Sequence, residues 1–423
     1  MWTWLGLALL VPLLLLGALA LALQQWVGSA DFRNRAGQQA SAALGVPVEI
    51  GQVTIDLWPL PAVALDRVLV KSRPVLSLER VEARPEWAAL LQRRPEIATI
   101  VVRKAVLPQQ AVAAIAASFD KAQRSATGTT RSGPASSAPG LLPRRVVLDQ
   151  VTWVPEKGAS ITVDAQARLD ADALPGSAKV EVRQGRFQGA RATLERGQGQ
   201  QWTLRAELGG GSVRGKFQVQ PAAKGVSLLQ AQFDTANVEL SVLTAPNRTL
   251  TGRLDAHTSL RAELGGPGAF ADGVQSQTTF TVRHAVLHGI DLAQAVKSVG
   301  LNRGGDTAVD TLAGQLVTQG RSIHLNNMVA SSGMLSAAGN VAMSPQRNLT
   351  GRITVDLAAG AAGGAIGVPL AVGGTLDSPS VTLTRGALVG AAIGTAIAPG
   401  IGTGAGVKLG DQLGESLRGL FGK

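Results

Sequence analysis

Residues 250–264 read LTGRLDAHTSLRAEL, and alternate positions differ in kind. The even positions carry Leu250, Gly252, Leu254, Ala256, Thr258, Leu260, Ala262 and Leu264, while the odd ones include Arg253, Asp255, His257, Arg261 and Glu263. A period of two puts one set on each side of a β-strand, so the segment predicts a strand with one apolar and one solvated face. The same alternation recurs in Ile161–Leu169, Trp202–Leu208, Val213–Val219 and Leu349–Leu357. It dominates from Val146 to about Leu383 and predicts a mainly β body of antiparallel strands joined by turns. LRAELGG occurs at 204–210 and again at 260–266, and LTGR at 250–253 and 349–352, the recurrence expected of a repetitive strand-turn-strand layer.

An amphipathic sheet must cover its apolar face. Closing it gives a barrel or sandwich, helices on one face give an α+β domain, and a curled, partly open sheet leaves a groove that a lipid can fill. Helices are few in this region; only Asp291 to about Leu301, DLAQAVKSVGL, reads clearly as one. Aromatic residues are 4% of the chain and Tyr is absent, so the apolar lining would be Leu, Val, Ala and Ile, which suits acyl chains. Pattern alone leaves a closed sandwich core and an open groove both standing. An outer-membrane barrel fits poorly, because aromatic residues do not cluster at strand ends.

Outward from this body the chain divides into pieces. Residues 31–45 predict a short helix closed by Gly45, followed by strands at Val46–Ile55, Val63–Val70 and Ile97–Val106. Two further helices are expected, at Pro85–Gln92 with proline in the first turn, and from Gln109 to about Gln123. The Ser/Gly/Pro/Thr-rich stretch SATGTTRSGPASSAPG at 125–140 has linker composition. The resulting division is 1–30 membrane anchor, 31–124 N-terminal α+β segment, 125–145 linker, 146–384 β-rich body and 385–423 glycine-rich tail.

An uncharged run lies near each end of the chain. Leu5 to Leu23 is a run of 19 residues without charge, flanked by Trp2, Trp4 and Trp26. It is long enough for a bilayer core of about 30 Å, and its anchor residues would include Leu5, Leu9, Leu13, Leu16, Leu23 and Trp26. A cleavable signal peptide is the rival reading, since Ala18-Leu-Ala20 and Ala20-Leu-Ala22 are acceptable cleavage patterns. The tail contains GALVGAAIGTAIAPGIGTGAGV at 386–407. Pro399-Gly400 interrupts it, and Gly386, Gly390 and Gly394 form one small-residue stripe while Gly402, Gly406, Gly410 and Gly414 form another. That spacing predicts a close-packed helical hairpin, resting at a membrane surface or capping a groove. Gly400-Ile-Gly402-Thr-Gly404-Ala405 fits GxGxxA but lacks the strand and βαβ unit which that fingerprint requires.

Chemistry-bearing groups are sparse. Cys is absent, which excludes disulfides, Cys nucleophiles and thiolate metal sites. Of the four histidines, His284 and His288 have i, i+4 spacing, but the segment reads as strand and lacks the Glu of HExxH. Ser118-Phe-Asp-Lys121 matches SxxK without its companion motifs. No catalytic residue, metal or cofactor is nominated, and the chain reads as a non-enzyme. The formal net charge of +11 favours anionic partners. Without aromatic stacking platforms among the basic residues, phospholipid headgroups are favoured over nucleic acid.

Three segments together resemble the AsmA-like family. They are Phe32–Val70 with LGVPVEIGQVTIDLWPLPAVALDRVLV, then Phe280–Met343 with AVLHGIDLAQAV, GDTAVDTLAGQLVTQG and MLSAAGNVAM, and IGVPLAVGGTLDSPSVTL at 366–383. Val309 stands near the place where the family commonly has an aromatic residue. The resemblance implies a single-pass bacterial inner-membrane protein, periplasmic in bulk, with an elongated, curved, taco-like antiparallel β-groove. It further implies a role in phospholipid transport and outer-membrane biogenesis or integrity. The partners expected are phospholipid, the inner membrane and, through the tail, outer-membrane or envelope proteins. The groove positions nominated are Ile161, Val163, Leu204, Leu208, Leu250, Leu254, Leu260, Leu264, Ile353, Val355 and Leu357. The alternative function is a non-transporting envelope scaffold or assembly factor with a closed β core.

Overall fold

A computed structural model describes residues 29–56, 62–85, 97–126, 143–156, 158–172, 174–221, 226–246, 248–264, 272–297, 304–357 and 366–388. Nineteen strands are present among them, with few helices, so the chain is mainly β as the alternation predicts. It divides into two compact units, Met1–Arg196 and Gly197–Lys423.

In the first unit, α1 (Ala30–Leu44) begins at Ser29, whose hydroxyl accepts from the Phe32 amide at 3.3 Å. It ends where Gly45 takes φ 69° and donates to the Ser41 carbonyl, the left-handed C-cap that glycine enters without Cβ strain. Strands β1 (Val48–Asp56), β2 (Ala62–Val70), β3 (Leu76–Pro85) and β4 (Ile97–Pro108) pair in chain order and antiparallel. Then α2 (Gln109–Ala126) intervenes, and β5 (Arg145–Val154) pairs with β4 in parallel, which a crossover connection permits and a hairpin does not. The strands on either side of the linker-like stretch are thus direct neighbours. The ladder continues antiparallel through β6 (Ile161–Leu169), β7 (Pro175–Gln184) and β8 (Arg191–Arg196). Val48, Val68, Val70, Leu76 and Ala111 form the buried cluster beneath α1 and α2.

The second unit is an antiparallel meander: β9 (Gln201–Leu208), β10 (Gly211–Pro221), β11 (Ser227–Glu239), β12 (Leu250–Leu264), β13 (Gln275–His288) and β14 (Asp306–Gln319). It goes on through β15 (Ser322–Ser331), β16 (Leu335–Met343), β17 (Leu349–Leu357), β18 (Ile366–Thr375) and β19 (Ser378–Leu383). The first LRAELGG copy closes the β9–β10 hairpin, with Gly209 and Gly210 both at positive φ as a two-residue turn of matching twist requires. Two short helices, α3 (Leu240–Thr244) and α4 (Leu292–Lys297), lie in the connections. Asp291 accepts from the Gln294 amide at 2.8 Å to cap α4, and the buried Thr307 hydroxyl accepts from Leu292 N and donates to Ile290 O. Thr307 thereby ties α4 to β14, and Val309 beside it is 3% exposed in the core.

A local device recurs along the strands. Gln150 in β5, Asn237 in β11 and Asn327 in β15 adopt φ of 54°, 54° and 51° at register shifts. Each donates its backbone N–H to a side chain of the next strand: Asp164 at 2.8 Å, Asp255 at 2.9 Å and Asn340 at 2.8 Å. The Asx oxygen satisfies the amide that the bulge removes from the ladder, and the bulge increases the local twist. Asp255→Ala is expected to destabilise the second unit by about 1 kcal/mol through loss of this acceptor. A lowered urea midpoint with faster hydrogen exchange at the Asn237 amide is the measurement.

Some expectations lie outside the described residues. These are the anchor Leu5–Trp26, helix residues 86–92, linker residues 127–140 and Gly390–Gly414 of the tail. Pro85 itself ends β3 rather than opening a helix, because β3 pairs with β4 up to that residue. Among the described residues no helix is long and apolar enough to cross a membrane. Gly386 falls in a helical turn at 385–388, where Thr384 Oγ1 accepts from the Ala387 amide and Ala387 is fully buried.

Candidate functional site

Register collects the nominated side chains of the second unit on one face. Leu260 of β12 stands opposite Ala231, which faces Phe217, which faces Trp202. One row along, Leu204, Gly215, Phe233, Thr258, Thr278 and Leu316 are successive cross-strand partners from β9 to β14. A third row runs from Leu254 through Val282, Leu312, Ala330 and Ala337 to Val355. Leu208, Leu250, Leu264, Ile353 and Leu357 belong to the same face by alternation. Ile161 and Val163 sit on β6 in the first unit, where Val163 is paired with Val151 and Val182.

Coverage along this face is unequal. Ile353 and Val355 are buried, at 4% and 0% exposure, in a cluster with Leu370, Leu292 and Ala295 of α4 and Ala387. Leu250, Leu254 and Leu357 pack against its margin. These five are therefore packing residues of a covered core. Leu204, Leu208 and Leu260 remain partly exposed, Leu264 is exposed at 36%, and Ile161 and Val163 are also partly exposed. The same face carries three aromatic residues that the choice of leucines omits: Trp202, which shares the parity of Leu204 and Leu208 on β9, and Phe217 and Phe233, which the register of β10 and β11 brings beside them. Trp202 and Phe217 stack with centroids 5.5 Å apart, and the Phe233 ring lies across Gly215, where a Cβ would come within 2.4 Å of it. The face of β9–β12 presents apolar side chains and no ionisable group; it can hold hydrocarbon by burial but offers nothing for acid–base work.

The opposite faces are polar, and each unit has an open depression there. In the first unit it measures about 610 Å3 and its arginines are paired: Arg183 with Asp164 at 2.6 Å and Glu181 at 3.2 Å, Arg191 with Glu181 at 3.4 Å, and Arg103 with Asp149 at 4.0 Å. Burial pushes the Asp164 carboxyl up, but the Gln150 amide and Arg183 outweigh it and hold it below its ordinary value. In the second unit the depression measures about 660 Å3, and glutamines dominate its lining.

Among the described residues the most enclosed charge lies in the first unit. Glu82 on β3 is 4% exposed, between buried Ala64 and Val101. It accepts from Arg80 Nε at 2.9 Å and Arg84 Nη2 at 2.7 Å, with Arg103 at 3.5 Å, and Arg80 reaches on to Asp56 and Asp66. Burial alone would raise the Glu82 pKa; hydrogen bonds from Arg84 and Arg80 and the charge of Arg103 reverse that and lower it. All these groups are mutually committed, which describes a structural clasp. His284 and His288 lie in β13 as the strand reading expects, and His288 Nδ1 is 3.0 Å from Asp306. The Ser118 hydroxyl donates to the Ala114 carbonyl of its own helix. No protein-family model, curated protein or solved structure matches the chain.

Proposed function

We propose that this protein is a membrane-anchored, periplasmic lipid-binding protein that shelters phospholipid acyl chains and contributes to phospholipid transport and outer-membrane integrity. The observation that carries the reading is the partly exposed apolar face of β9–β12, where Leu204, Leu208, Leu260 and Leu264 stand outside the covered core. Shielding an acyl chain there saves about 0.8 kcal/mol for each CH2 kept from water, so an apolar trough lowers the barrier to moving a lipid without any bond-making. The +11 charge favours anionic headgroups, and the uncharged run Leu5–Leu23 supplies the anchor. The AsmA-like resemblance supports an elongated open groove, a bacterial inner-membrane location and a tail that meets a second membrane or an envelope protein.

Phospholipid is expected in mass spectra of the full chain purified in mild detergent, and the protein should take up a fluorescent phospholipid from vesicles. A lipid-free preparation that takes up none would overturn the proposal. The competing reading, an envelope scaffold with a closed core, has the packed cluster around Val355 and Leu370 on its side.

A further inference from the structure

The polar face of the second unit carries an arrangement that lipid binding does not use. Gln201, Gln218, Gln230, Arg261, Gln275 and Gln319 are direct cross-strand partners from β9 to β14. Beside them Lys216, Gln232, Ser259 and Gln277 form a second row. Both rows line the open depression of about 660 Å3.

Its composition is selective. Seven glutamines and two cations line it, and no carboxylate does. Asp234 and Glu263, two residues further along the face from Gln232 and Arg261, are not among the lining. Lys216 and Arg261 make no ion pair among the described residues, whereas Arg183 and Arg191 in the other unit's depression are paired with carboxylates. Phe217 borders the site but turns its ring to the opposite face, where it stacks on Trp202.

We propose that this depression binds a linear glycan that carries carboxylates. Each primary amide offers two donors and an acceptor, the combination that a row of sugar hydroxyls requires. Neighbouring amides repeat at the interstrand spacing of about 4.8 Å, close to the advance per residue of an extended hexopyranose chain. Gln218 Nε2 donates to Gln230 Oε1 at 2.8 Å, so adjacent amides are already oriented along the row. Arg261 can take a sugar carboxylate with two parallel hydrogen bonds, and Lys216 adds a second positive charge. A polyphosphate would call for denser cations, and a nucleic acid for stacking aromatics that this face lacks.

Titration calorimetry on the full chain in detergent, with hexagalacturonate, cellohexaose and inorganic polyphosphate as probes, tests the assignment. Saturable binding of hexagalacturonate is expected, at least about tenfold tighter than cellohexaose. The double variant Gln230→Ala, Gln275→Ala should weaken hexagalacturonate about tenfold, and Arg261→Gln should bring its affinity down to that of cellohexaose. Circular dichroism of both variants should match the parent, because Gln275 and Arg261 are exposed and Gln230 partly so. Absence of saturable hexagalacturonate binding overturns the proposal. So does polyphosphate binding that is as tight and indifferent to the glutamine substitutions, and so does equal affinity for the neutral glycan. None of these outcomes depends on whether the opposite face binds lipid.

Discussion

Val355→Asp is expected to unfold the second unit, while Leu260→Asp is expected to leave it folded and cost about tenfold in phospholipid uptake. Val355 is fully buried against Leu370, Leu292 and Ala337, with no cation in the cluster to pair with a carboxylate. A charge placed there without a partner costs several kcal/mol, a large part of the roughly 5–15 kcal/mol that holds a domain together. Leu260 lies on the same face but is partly exposed, so a carboxylate there reaches water and the loss is about 1–2 kcal/mol of apolar burial. The same carboxylate would stand in the path of an acyl chain. Circular dichroism and tryptophan fluorescence report the folding, and vesicle transfer of a fluorescent phospholipid reports the uptake. If Leu260→Asp unfolds as readily as Val355→Asp, the face is closed along its whole length and the scaffold reading stands in place of the lipid one.

Glu82→Gln should destabilise the first unit by about 2 kcal/mol at neutral pH. The carboxylate neutralises Arg80 and Arg84 at hydrogen-bond distance and Arg103 just beyond it; glutamine preserves the shape and removes the charge. Removal of one partner from a buried pair costs about 3–5 kcal/mol, and the value here is lower because the three arginines are 29–44% exposed and reach solvent. The pH dependence has a definite sign. The folded pKa lies below the ordinary 4.5, so the group adds stability above that value and loses it as pH falls through the folded pKa. Urea midpoints of parent and variant should therefore differ at pH 7 and draw together as pH falls below 4.5 and on through the folded pKa. A constant gap down to pH 3 would show that the effect is one of packing.

The elements most legible in the sequence were those whose signals are local. Gly45 after an amphipathic stretch closes α1, and the alternation in 250–264 forms one continuous strand, β12. The segment LSLERVEARP of β3 escapes a strand reading because Glu79, Arg80, Glu82 and Arg84 give it a charged look, and those charges are satisfied partly by one another within β3 and partly by neighbouring strands. Nor could periodicity distinguish Val355 from Leu260. Both obey period two, and the difference arises from α4 and Ala387, which cover one end of the face and not the other. The glutamine row was hidden for a similar reason: its members are scattered over more than a hundred residues, and only the register sets them side by side.

The neighbour-only pairing of the strands has a thermodynamic consequence. Within each unit every strand is laddered to the strands before and after it in the chain, so stability is approximately a sum of nearest-neighbour terms. Such a chain has no single nucleus on which all its strands depend. It melts from its weakest junction, and strand pairs can be gained or lost by duplication while the remaining junctions keep their energies, so its length is open to selection independently of its fold.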